Sequence, residues 1–69
     1  MGKAINSRLV GKNIRLLRQS KAWTQDYLAE KAGYSTRGIR RIEKDGTNNI
    51  DVVNRFAEVF DVPALDILS

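Results

Sequence analysis

Apolar residues recur every three or four positions along most of the chain, and nowhere do they alternate with period two for long enough to specify a strand. Val10, Ile14 and Leu17 fall at helical spacing behind Ser7, a good N-cap, which predicts a first amphipathic helix over about 7–20. Thr24 caps a second helix, with Asp26 in its first turn answering the positive end of the helix dipole. Trp23 precedes that cap and Leu28 lies four residues inside it, the spacing of a hydrophobic staple, so the indole is assigned to packing rather than to stacking on a ligand. Gly33 ends the second helix, where positive φ is nearly free for glycine. Ser35 or Thr36 starts a third that runs to about Lys44. Asn49 caps a fourth carrying Ile50, Val53, Ala57 and Phe60, and Pro63 lies near the start of a short fifth ending in Leu68. The expectation is an all-α fold of five helices, with residues 1–6 as an N-terminal arm and 7–69 as one domain.

A chain of 69 residues has room for one small core, and 42% hydrophobic with 29% charged residues is the composition of an ordinary globular domain. No apolar run approaches the roughly 20 residues that a bilayer helix needs, and the N-terminus lacks a secretory leader pattern, so a cytoplasmic chain with no membrane partner is expected. The absence of Cys removes disulfides and thiolate chemistry, and the absence of His removes the commonest general base and metal ligand. No catalytic, metal or cofactor-binding residue is predicted, and the chain is not expected to be an enzyme.

Charge is divided unevenly. Residues 1–44 hold eleven Lys or Arg against three acids, a balance of +8, whereas residues 45–69 hold one Arg against five acids, a balance of −4. Clustered cations concentrate phosphate polymers near a surface, so the first part suits an anionic partner. The pattern sharpens on the third helix. At 100° per residue Thr36, Arg37, Arg40, Arg41 and Lys44 span roughly 140° of one face, while Ile39 and Ile42 point the opposite way.

Two short helices joined by a three-residue turn that opens with glycine form the helix-turn-helix pattern. Counted from Gln25, the residues Leu28, Ala29, Ala32, Gly33, Tyr34, Ile39 and Ile42 occupy the places that must be apolar, small or glycine. From VGKNIRLLRQSKAWTQDYLAEKAGYSTRGIRRIEKDG through NRFAEVFDVPALDIL the chain resembles the phage repressor and Cro type, or xenobiotic-response-element type, of helix-turn-helix DNA-binding domains.

That resemblance implies a third helix that lies in the major groove of duplex DNA, and a transcriptional regulator, a repressor by type, acting in the nucleoid. It implies that Gln25 holds a phosphate, that Thr36, Arg37 and Arg41 read bases, and that Arg18 and Glu43 form an ion pair joining the first helix to the end of the third. Ser35, Arg40 and Lys44 complete the expected DNA-binding set, with Arg40 leaning to phosphate. A domain this small reads a half-site, so a homodimer on a palindromic operator is expected, with Ile67 and Leu68 either at the dimer contact or closing the core. Ala22 stands where the family usually carries a glycine, which predicts a strained or differently closed turn. Gly38, inside the third helix, implies close packing or close approach to a sugar-phosphate backbone. The rival expectation is a protein-protein interaction module with Tyr27, Tyr34, Ile67 and Leu68 as an apolar contact surface.

Overall fold

The computed structural model describes residues 5–69, and every regular element among them is helical: α1 (Ser7–Ser20), α2 (Gln25–Ala32), α3 (Thr36–Asp45), α4 (Ile50–Phe60) and α5 (Leu65–Leu68). Residues 1–4 of the expected arm lie outside the described residues. Its last two join the folded body, because Ile5 packs against the core and the Asn6 side chain accepts from the Leu9 N–H at 3.1 Å. Asn6, not Ser7, is therefore the cap of α1. Both residue types cap well, but Asn6 holds the extended backbone that a cap needs, while Ser7 is the first helical residue.

The other signals act where they were read. Thr24 Oγ1 accepts from Tyr27 N–H at 3.0 Å, Ser35 Oγ from Gly38 N–H at 3.0 Å, and Asn49 Oδ1 from Asp51 N–H at 2.9 Å. Gly33 sits at φ 78°, and its N–H and that of Tyr34 both return to the Ala29 carbonyl, closing α2 into a turn short enough to bring α3 across it.

One core serves all five helices. Val10 and Ile14 of α1, Leu28, Ala29 and Ala32 of α2, Ile39 of α3, Val53, Phe56, Ala57 and Phe60 of α4 and Ile67 of α5 are buried together. Trp23 packs on this cluster with its ring stacked 5.5 Å from Phe60, so it ties the entry of α2 to α4. Tyr34 likewise stacks on Phe56 at 5.6 Å. Ile67 is fully buried and its carbonyl accepts from the Asn13 side chain at 2.8 Å, which corrects its reading as a dimer contact: it locks α5 onto α1. Leu68 is half-buried against the same core.

Two glycines let α1 approach α3 backbone to backbone. A Cβ on Gly11 would lie 2.5 Å from the Ile42 carbonyl oxygen and 2.9 Å from that of Glu43. A Cβ on Gly46, which follows α3 at φ 78°, would collide with the Ser7 carbonyl. Gly38 differs, since a Cβ there would meet only the Ser35 hydroxyl at 3.2 Å and the Tyr34 Cβ at 3.9 Å. The third helix is therefore not narrowed at Gly38 for another backbone of this chain.

Ala22 adopts φ 58°, the left-handed conformation that glycine favours, with its N–H bonded to the Gln19 carbonyl. An L-residue there costs about 1–2 kcal/mol. We expect Ala22→Gly to stabilise the fold by about 1 kcal/mol, which for a domain of this size raises Tm by about 4–8 °C. Gly11→Ala should lose about 1–3 kcal/mol, because the obstructing atoms are backbone carbonyls that cannot turn aside. Thermal unfolding of both variants checks this, and an unchanged Tm for Gly11→Ala would contradict the close approach of α1 to α3.

Candidate nucleic-acid interface

The outer face of α3 is built by opposition. Ile39 is fully buried and Ile42 packs on the core, so Arg37, Arg40, Arg41 and Lys44, all exposed, face outward together. Ser35 starts the helix with its hydroxyl bonded to Gly38 N–H, and Thr36, half-buried, donates its hydroxyl proton to Asp26 Oδ1 at 2.5 Å. That bond crosses from the first turn of α3 to the first turn of α2.

Behind this face lies a polar clasp. Arg18 Nε donates to Glu43 Oε2 at 2.6 Å and Arg18 Nη2 to Glu43 Oε1 at 3.1 Å, a two-pronged pair whose side chains are only 13% and 5% exposed. The third prong, Nη1, donates to the Trp23 carbonyl at 2.8 Å, so one guanidinium spans α1, the turn before α2 and the end of α3. Gln25 extends the network: its amide nitrogen donates to Glu43 Oε1 at 3.1 Å and its oxygen accepts from Arg40 Nε at 3.3 Å. One amide N–H of Gln25 is left over for a further acceptor.

Of the expected residues, Arg18, Gln25, Arg40, Glu43 and Lys44 line a single open cleft between α1, α2 and α3. Thr36, Arg37 and Arg41 stand on the same helix but outside that cleft. The cleft also includes Arg15, which was not singled out from the sequence. Its signal was available, because Gly11, Arg15 and Arg18 are spaced four and then three residues apart and so share one stripe of α1, the stripe turned toward α3. Asp26 was read only as a dipole partner; its bond to Thr36 depends on how the two helices cross.

The rival apolar surface does not form. Ile67, Tyr34 and Leu68 are committed to the core, and of that set only Tyr27 is substantially exposed, at 45%, with its ring edge against Trp23. Among the described residues the exposed large apolar ones are Leu16, Tyr27, Ile50 and Leu65, which belong to four different helices. Among the described residues no helix is long and apolar enough to cross a membrane.

A helix-turn-helix family profile matches residues 14–67, and the chain belongs to that family. It is 39% identical over 57 residues to a Pyrococcus furiosus protein classed provisionally as an HTH-type transcriptional regulatory protein; the match covers 81% of this chain but only 18% of that relative's length. Among solved structures it is similar to the hypothetical transcription factor NHTF from Neisseria, with TM-score 0.81 and 25% identity over 90% of this chain and 72% of that one. It is similar also to the biofilm master regulator SinR, solved in complex with DNA, with TM-score 0.77 and 27% identity over 87% of this chain and 98% of that one.

The clasp makes a stability prediction. Arg18→Ala strands a Glu43 carboxylate that is 5% exposed, and breaking a buried pair in this way costs about 3–5 kcal/mol. Replacing both partners by apolar residues, Arg18→Met with Glu43→Leu, should recover much of that loss. Urea unfolding of the three proteins measures it; an Arg18→Ala protein as stable as the parent would show that the pair holds nothing.

Proposed function

We propose that this chain binds duplex DNA sequence-specifically as a transcriptional regulator, with α3 in the major groove and two copies on a palindromic operator. The observation that carries the reading is the one-sided cationic face of α3, clamped from behind by the Arg18–Glu43 pair. Arg37 and Arg41, outside the cleft and on the free side of α3, are assigned to guanine edges, where a guanidinium can donate to O6 and N7 together. Thr36, in the first turn of α3, is assigned with them to a base edge. Arg40, Lys44, Gln25 and Ser35 are assigned to phosphates, which fix register without reading sequence. Gln25 suits that task because the clasp holds it in place and leaves it one free donor. The similarity to SinR, whose structure contains DNA, supports the reading.

Each copy would cover a half-site, with half-site centres about 34 Å apart, one turn of B-DNA. Ile67 takes no part in that pairing, since it is buried within its own chain. Selecting bound sequences from a random duplex pool tests the proposal as a whole: a symmetric consensus is the expected result, and failure to enrich any sequence would contradict it.

Two substitutions separate reading from positioning. Arg41→Ala should cost about 1–3 kcal/mol on the selected site and relax one base pair, with non-specific binding less affected. Lys44→Ala should weaken all sequences nearly alike and reduce the slope of log affinity against log salt by about one unit. Titrations of each variant against the site, its single-base variants and random duplex at several salt concentrations check both. A full base preference in Arg41→Ala would remove Arg41 from the reading set.

A further inference from the structure

Asp26 is an acid bonded to the first turn of α3, the end assigned to reading. Its Oδ1 accepts the Thr36 hydroxyl at 2.5 Å, and among the described residues no Lys or Arg lies within ion-pair distance of it. A carboxylate has no proton to give, so the bond runs in one direction only, from Thr36 to Asp26. Thr36 Oγ1, its proton spent, can offer a groove only lone pairs and the adjoining methyl. Asp26, exposed, keeps its second oxygen as a further acceptor. The side chains of Asp26 and Thr36 thus form one corner of the cationic face that, apart from the backbone N–H groups beside it, accepts hydrogen bonds and donates none.

Such a corner sits poorly against phosphate oxygens, which are acceptors and anionic. In the major groove it suits only the amino groups, cytosine N4 and adenine N6, because guanine O6 and thymine O4 are acceptors themselves. We infer that Asp26 is a specificity-determining residue: by fixing the Thr36 hydroxyl as an acceptor, it selects a base that presents an amino group to the start of α3 and rejects one that presents a carbonyl. This rests on the proposed reading of duplex DNA by α3. Asp26 acts as a positioning residue, and the hydroxyl of Thr36 touches the base. The same carboxylate weakens binding to every other sequence, so it sharpens discrimination by repulsion as well as by attraction.

The test compares Asp26→Asn, Thr36→Val and Thr36→Ser with the parent, on the site selected from a random duplex pool, on all its single-base variants and on random duplex. The parent should favour amino-bearing over carbonyl-bearing bases at one pair by about 10- to 100-fold. Asp26→Asn, whose amide can donate to Thr36 and free the hydroxyl proton, should lose most of that preference at that pair alone and bind random duplex more tightly. Thr36→Val keeps the shape and a methyl but not the acceptor, and should lose the same preference. Thr36→Ser keeps the acceptor and should retain it.

The inference is overturned if Asp26→Asn and Thr36→Val retain the preference at every pair, or if Thr36→Ser loses as much as Thr36→Val, which would assign the contact to the methyl. It is overturned also if Asp26→Asn flattens the whole profile and lowers Tm, which would make Asp26 a structural tie. A parent that binds duplex with no sequence preference would bring down the proposed function itself, and this inference with it; a parent whose preferences depend on Arg37 and Arg41 but not on Asp26 would bring down this inference alone.

Discussion

The seam between α1 and α3 is the constraint on which the rest depends. At one end Gly11 and Gly46 remove two side chains so that the start of α1 rests directly on the last carbonyls of α3 and the residue that follows it. At the other end Arg18 reaches across to Glu43 and, with its remaining nitrogen, to the Trp23 carbonyl. Close approach without side chains fixes distance, and a two-pronged charged bond fixes rotation about the helix axis. Helix α3 carries only two isoleucines toward the core, so its hydrophobic anchorage alone would tolerate some roll. With the clasp in place, the angle at which its arginines leave the surface is set by α1.

That fixity matters because the outer side chains are long. An arginine ordered on binding gives up as much as about 2 kcal/mol of rotamer freedom, so a face that must hold several in a groove gains from any ordering already present. Arg40 illustrates the gain: Gln25 holds its Nε at 3.3 Å, and Gln25 is itself held by Glu43. A chain of contacts thus runs from the buried pair to an exposed cation. Of the five acids of the second part, Asp45 ends α3 itself, whereas Asp51, Glu58 and Asp61 are exposed on α4 or at its end and Asp66 on α5, while the cations of the proposed interface sit on α1 and α3.

What the sequence disclosed was local, and what it hid was tertiary. Thr24, Gly33 and Asn49 announce helix ends because capping and positive φ are decided within four residues, and the all-α fold followed from them and from the three-and-four spacing of apolar positions. Asn6 and Ser7 are both competent caps one residue apart, so spacing alone could not choose between them. Ile67 and Leu68 are apolar on a terminal helix and fit a core or a dimer contact equally well until α1 is laid beneath Ile67. Gly11 reads in one dimension as a weakness in a helix; only the passage of α3 over it explains why a side chain is excluded. The cationic side of α3 was legible from helical geometry, and so was the stripe of α1 behind it. The bonds from Asp26 to Thr36 and from Gln25 to Arg40 span ten and fifteen residues and exist only because α2 and α3 cross at their first turns.

The central claim is that one surface, the outer side of α3 with the first turn of α2, meets duplex DNA while α4, α5 and the Trp23–Tyr27 ledge do not. Amide chemical-shift mapping of the isotopically labelled chain, titrated with a duplex that carries its selected site, tests this most directly. The account predicts large perturbations at Gln25, Asp26 and 35–45, with small ones across Ile50–Phe60 and Leu65–Leu68. Perturbations centred on Tyr27, Ile50 or Leu65, with α3 unmoved, would contradict it.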